Sequence, residues 1–241
     1  GYTESLAFLF AAGCFLALKK ERWVLAALCA GLACATRSTG VLLLAPLLWE
    51  LWRRFKTDYK RLALYTAACS LLATSGLWLY MIYLWKTFNS PLAFVAAGRA
   101  WQRGMAIGKG PGLLSEGNLF QALMLKPFRH LEDIFYAGPN PNSLDPWFFL
   151  LFFLLIIFGR KRVPFSFTLY ALGVLLLPYI TISGSLGFQS FTRYILLAFP
   201  VFIILAQLSK RRAWLGLGLT GIFAAMLFMY TALFAQWYWA G

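Results

Sequence analysis

Acid is scarce in this chain: eight Asp and Glu stand against 22 Lys and Arg in 241 residues, and histidine and cysteine are scarcer still, at one and four. Charged residues make up 12% of the total, about half the roughly 25% of an ordinary soluble domain. His130 has no second His or Cys near it, so a surface imidazole is expected rather than a metal ligand. Cys14, Cys29, Cys34 and Cys69 all fall in apolar segments without pairing pattern or metal-ligand spacing, which makes them small buried hydrophobes. No metal site is therefore predicted. Gly108-Lys109-Gly110-Pro111-Gly112 lacks the preceding strand and the Gly-Lys-Ser/Thr ending of a phosphate loop.

What is abundant is apolar: 61% of residues are hydrophobic and the mean hydropathy is +0.70. An integral membrane protein is expected. The formal net charge of +14 would suit nucleic acid, but the cations gather in short clusters at 19–22, 53–61, 160–162 and 210–212 between apolar runs. Such clusters read as topology signals and contacts to anionic lipid, not as a nucleic-acid surface. The chain opens on Gly1, without Met or a visible signal peptide, at the mouth of an apolar helix. That start predicts the later part of a longer polypeptide.

The organising stretch is Val24 to Leu51, an apolar run broken by Ala35-Thr36-Arg37-Ser38-Thr39-Gly40. An arginine near the middle of a bilayer-length segment costs roughly 2.5–3.5 kcal/mol unless it faces protein, water or an anion. Arg37 needs a partner. Because basic clusters flank both ends of the run, both ends are expected on the cytoplasmic side, which makes the stretch a hairpin of two short helices, Trp23–Thr36 and Thr39–Trp52. Its turn is expected to line a cavity on the far side, where irregular backbone is tolerated only against protein or water.

Read in order, Leu6–Leu18 runs inward, with Thr3 or Ser5 as helix caps. After the hairpin, Leu62–Trp85 crosses outward and ends in aromatics. Residues 86–146 form a long non-cytoplasmic loop region. It holds an Asn89–Leu92 turn into a short helix through Arg103, and an amphipathic stretch from Asn118 to Tyr136. Trp147–Phe158, Val163–Ile182, Tyr194–Leu208 and Trp214 to about Trp237 complete the path. The fold class is all-α: a polytopic membrane protein of about eight transmembrane helices, forming one integral membrane domain over 1–241, with every basic cluster inside.

This topology collects Glu4, Arg37, Lys86, Asn89, Arg99, Trp101, Arg103, the 104–146 segment, Gln189, Arg193 and Tyr194 on the outer face. Arginines and aromatics converging at membrane depth suit a ligand with a phosphate head and a lipid tail, since guanidinium binds phosphate in bidentate fashion. Simpler roles stand beside these: a solvated helix start for Glu4, a structural hydrogen-bond clamp for Arg37, snorkelling for Arg193. Glu4, Glu116, Glu132, Asp133 and Asp145 are candidate bases, and Asp145 beside Pro146 reads better as a helix cap.

Gly1-Tyr2-Thr3-Glu4-Ser5-Leu6, Ala35-Thr36-Arg37-Ser38-Thr39-Gly40-Val41, Trp85 through Phe94 followed by Trp101 and Arg103, and Thr192-Arg193-Tyr194 before Phe199-Pro200 together resemble the PIG-V family of mannosyltransferases, of the GT-C class, in a bacterial-type relative. The resemblance implies transfer of a sugar, typically mannose, from a polyprenyl-phosphate donor to a lipid or glycan acceptor on the non-cytoplasmic side. The membrane would be the bacterial cytoplasmic membrane or the endoplasmic reticulum. It also implies a catalytic aspartate upstream of Gly1. Glu4, Arg37, Trp101, Arg103, Arg193 and Tyr194 carry over as binding or cavity-lining positions, no cofactor is assigned, and the need for a divalent cation stays open. Two other classes fit the same residues: a transporter or flippase of lipid-linked sugars, and a non-catalytic membrane subunit.

Overall fold

A computed structural model describes residues 3–100, 145–181, 191–210 and 212–236, without the side chains at 98–100, 145–147, 178–181 and 191–193. The described residues are all-helical. The helices are α1 Glu4–Lys19, α2 Trp23–Thr36, α3 Leu44–Phe55, α4 Tyr59–Phe88, α5 Ala93–Ala100, α6 Asp145–Gly159, α7 Phe165–Thr181, α8 Phe191–Leu197, α9 Pro200–Ser209 and α10 Ala213–Ala235, with a 3-10 segment over Ser38–Leu43. The chain forms two compact units, Gly1–Trp101 with Pro164–Val174, and Gln102–Val163 with Leu175–Gly241.

In the first unit the hairpin's first helix has the expected bounds, whereas the second, expected over Thr39–Trp52, is a 3-10 segment over Ser38–Leu43 followed by α3 over Leu44–Phe55. Arg37 leaves the helical conformation (φ −151°, ψ 139°) and ends α2, and the 3-10 segment then turns the chain into α3. The contact that fixes α2 is with α4, and it is made by small residues. Ala26, Ala27, Ala30, Gly31, Ala33 and Cys34 are the buried face of α2; Cys69, Ala73 and Gly76 are buried on α4. A methyl group on Gly31 would strike the Leu72 carbonyl and the Ser75 hydroxyl, and one on Gly76 would strike Gly31 O and Ala35 N. The two backbones touch. Small residues permit this approach, which gains dispersion contacts where large side chains would hold helices apart.

Larger side chains complete the unit. Phe15 of α1 meets Phe167 and Tyr170 of α7 at 4.4 and 5.3 Å between ring centroids, and Trp49 of α3 meets Phe165 at 4.6 Å. Leu43, Leu47 and Leu51 are fully buried at one-turn spacing. In the second unit, Phe149, Phe152 and Ile156 form the buried face of α6. Phe152 packs on Phe202 of α9 at 5.7 Å, and Phe202 on Phe223 of α10 at 5.9 Å.

Outward-facing positions carry the bulk. Leu71, Leu79, Leu217 and Phe228 are exposed, the last at 77%, an inversion of the usual soluble pattern. Hydroxyls on these helices turn back to their own carbonyls: Thr74 to Ser70 O at 2.8 Å, Ser75 to Leu72 O at 2.7 Å, Thr231 to Leu227 O at 2.7 Å. Among the described residues two helices, Tyr59–Phe88 and Ala213–Ala235, are long and apolar enough to cross a membrane. Trp23–Thr36, Phe148–Gly159, Phe165–Leu177 and Pro200–Ser209 are apolar but shorter.

Several boundaries differ from expectation for local reasons. α4 begins at Tyr59 rather than Leu62 because the Asp58 carboxylate accepts from the Arg61 amide at 3.1 Å and caps the helix. The return segment expected as one helix, Tyr194–Leu208, is two, α8 and α9, parted at Ala198–Phe199. Pro200 has no N–H to continue α8 and instead opens α9 at the position that tolerates it. Thr3 occupies the N-cap of α1, but no side chain caps there. The helix after Asn89 is observed to Ala100; its expected extension to Arg103, the 118–136 stretch, and the end of the last helix at Trp237 lie outside the described residues.

Gly31→Val and Gly76→Val are expected to lower stability by more than about 2 kcal/mol through overpacking, whereas Gly218→Ala, which has open space around it, leaves it unchanged or slightly raised. Thermal unfolding in detergent checks the contrast.

Candidate functional site

Arg37 finds its partner in Glu4. The guanidinium Nη1 donates to Glu4 Oε1 at 2.5 Å, joining residues 33 apart in the chain. The side chains are 17% and 12% exposed, and Glu4 Oε2 is buried as well. Neither group is a surface charge.

The turn supplies the geometry. Thr36 Oγ1 donates back to Ala33 O at 2.8 Å, and the Arg37 amide to the same carbonyl at 2.9 Å. Arg37 is therefore the first residue free of the helix, and its extended backbone swings the side chain toward the start of α1. The 3-10 segment closes with Gly40 N to Arg37 O at 2.9 Å. Gly40 lies against the backbone of Ala33 and Cys34, where a methyl group would collide with both. Only glycine lets the turn fold down onto the end of α2. Ala35 and Ser38 stay exposed, so the turn is open on one side.

Height along the bundle follows from α4. Ala35 N lies beside Gly76. From Arg61 to Gly76 the helix climbs about 22 Å, and from Gly76 to Phe88 about 18 Å more, at 1.5 Å per residue. The ion pair thus sits well above the basic end of the unit yet below the tip of α4. That upper part of α4 exposes Trp78, Tyr80, Tyr83, Trp85 and Phe88. Tyr80 packs on Phe94 of α5 at 5.9 Å, and Asn89, in the left-handed conformation (φ 55°), turns the chain between the two helices.

Of the residues singled out from sequence, Glu4 and Arg37 are brought together. The reading of Glu4 as a solvated helix start does not hold, since its carboxylate is inside and paired. Tyr194 lies on α8 in the second unit with its side chain buried, 6% exposed; Arg193 is on the same helix, with its side chain outside the description. Trp101, Arg103, His130, Glu116, Glu132, Asp133, Gln189 and the Gly108–Gly112 segment lie outside the described residues. Asp145 is the first residue of α6. Among the described residues no group of three or more His, Cys, Asp or Glu is placed to hold a metal ion. The sequence places Gly40 in the turn, as a glycine three residues after the one arginine in an apolar run would suggest, but gives no sign of its close approach to Ala33 and Cys34.

No family model, curated protein or solved structure matches this chain.

A buried pair broken on one side leaves a stranded charge at a cost of about 3–5 kcal/mol, whereas removing both members is far cheaper. Arg37→Met and Glu4→Leu are each expected to destabilise by that order, and the double variant by less than either alone. A double-mutant cycle on thermal unfolding of the purified protein measures the coupling.

Proposed function

We propose that this chain is a multi-pass membrane glycosyltransferase that takes a sugar, mannose on the PIG-V resemblance, from a polyprenyl-phosphate donor on the non-cytoplasmic side. The observation that carries the reading is the Glu4–Arg37 contact. It joins two of the sequence stretches on which the resemblance rests, 1–6 and 35–41.

Physical arguments support the setting. With the basic end of the first unit held at the cytoplasmic surface, a hydrocarbon layer about 30 Å thick would enclose the pair some way below its outer boundary. A guanidinium tolerated there needs a carboxylate or phosphate partner. Arginine presents its N–H donors in a fixed planar fork, and phosphate is an anion whose geometry suits that fork. The apolar exterior of the helices would hold the polyprenyl tail, and aromatics on the upper part of α4 offer faces for sugar rings. Shorter helices such as Trp23–Thr36 would enter the membrane as members of the hairpin, bringing the crossings to about eight.

Under this reading Glu4 orients Arg37 rather than serving as base. Inverting transfer needs a separate carboxylate to take the acceptor proton as phosphate leaves the sugar carbon.

In proteoliposomes holding the intact protein, labelled polyprenyl-phosphate mannose is expected to yield a glycosidic product. Arg37→Ala should weaken donor binding at least about tenfold, the loss of one charge-assisted phosphate contact, with membrane insertion retained. Unchanged kinetics in that variant would return Arg37 to a purely structural role. Movement of the lipid-linked sugar across the bilayer without a product would favour a flippase.

A further inference from the structure

Three basic segments that are separate in sequence meet at the end of the first unit opposite the Glu4–Arg37 pair. α1 ends in a tight corner: the Glu21 amide donates to Leu18 O at 3.0 Å and the Arg22 amide to Ala17 O at 2.9 Å. This is the two-bond closure that usually places glycine at the left-handed position, here held by Glu21 at φ 54°. The Glu21 carboxylate accepts from Arg54 Nε at 3.3 Å, drawing the end of α3 to the α1–α2 corner. Trp23 and Phe55 meet at 6.0 Å, and Phe55 stacks on Tyr65 at 5.1 Å, which brings in the start of α4.

The acids of this end are engaged with arginines: Glu21 with Arg54, Glu50 with Arg53 at 2.7 Å, and Asp58 with Arg61 at 3.2 Å. Lys19, Lys20, Arg22, Lys56 and Lys60 are all exposed. None of the five has a carboxylate within ion-pair distance among the described residues. Trp52 and Tyr59 are exposed at the same level. Above them the outward faces turn apolar, with Val24, Leu25 and Leu64 exposed. A rim of unpaired cations, then amphipathic aromatics, then hydrocarbon is the order in which a bilayer presents phosphate, interface and acyl chain.

We infer that this end of the first unit is a docking surface for anionic phospholipid headgroups, with Lys19, Lys20, Arg22, Lys56 and Lys60 receiving the phosphates and Trp52 and Tyr59 lying at headgroup level. The inference rests on the membrane-embedded part of the proposed function and not on sugar transfer. Long lysine stems suit the task, because they reach from an apolar helix surface to the headgroup plane. A soluble polyanion would have no use for the apolar belt directly behind the cations.

The test titrates the intact protein, purified in neutral detergent, with phosphatidylglycerol or phosphatidylcholine, reading bound lipid by native mass spectrometry and the unfolding midpoint in parallel. Phosphatidylglycerol is expected to bind preferentially. Each basic residue near an anionic surface contributes a factor of about five, so the K19Q/K20Q/K56Q/K60Q variant should bind it at least about tenfold more weakly. The matching quadruple Lys→Arg variant should retain native affinity, which separates charge from folding, and K86Q at the far end of α4 should stay within about twofold. Equal affinity for the two lipids, native affinity in the Gln variant, or the same stabilisation by inorganic phosphate would overturn the inference. A chain that purifies monodisperse without detergent would instead overturn the membrane reading beneath it, and the transfer assay in phosphatidylcholine-only vesicles reports on the sugar chemistry alone.

Discussion

One guanidinium sets the terms for the first unit. Arg37 lies in the middle of an otherwise apolar stretch, and leaving its charge unmatched there would cost more than most single contacts contribute. The chain answers with Glu4, one of eight acids in the whole sequence, delivered from the start of a different helix. Much of the local design follows from that requirement. α2 must end one residue before Arg37, the turn must fold down over Gly40, and α1 must begin beside it. A buried pair is weak evidence for net stability, since an apolar replacement of equal shape often does as well. Its presence in a segment that could have been uniformly apolar is what directs attention to this place in the fold.

Around that pair the packing follows an inverted rule. Small residues face one another across α2 and α4 until backbone touches backbone at Gly31 and Gly76, while leucine, phenylalanine and tryptophan point away. In water such an arrangement forfeits the burial energy that folds proteins. In hydrocarbon the outward side chains lose nothing, and association relies on close contact between helices instead. Hydroxyls bonded within their own helices obey the same logic. α10 carries it furthest, a helix of 23 residues with Leu233 its one side chain described as buried.

The hairpin was legible because its signals are local and redundant: basic flanks, an apolar interior, and a polar break of six residues containing the arginine. The bounds Trp23–Thr36 came directly from that break. Placement of the start of α4 failed because a single carboxylate, Asp58, outweighs the charge run that suggested a loop over 57–61. The return segment was read as continuous because its apolar composition does not change across Ala198–Phe199, and only the missing N–H of Pro200 marks the break. That Glu4 would be the residue to meet Arg37 could be suspected from shared topology, but sequence separation gives no distance. Gly40 was legible as a turn residue, but its approach to the backbone of Ala33 and Cys34 was not, because composition cannot display such a contact.

The corner between α1 and α2 carries one more implication. Holding a side-chain-bearing residue in the left-handed region costs roughly 1–2 kcal/mol, and glycine at position 21 would relieve it. It would also surrender the tether that keeps the end of α3 beside the corner. The end of α3 would then rest at that corner on the ring contacts of Phe55 with Trp23 and Tyr65, apolar grips without the directionality of the ion pair.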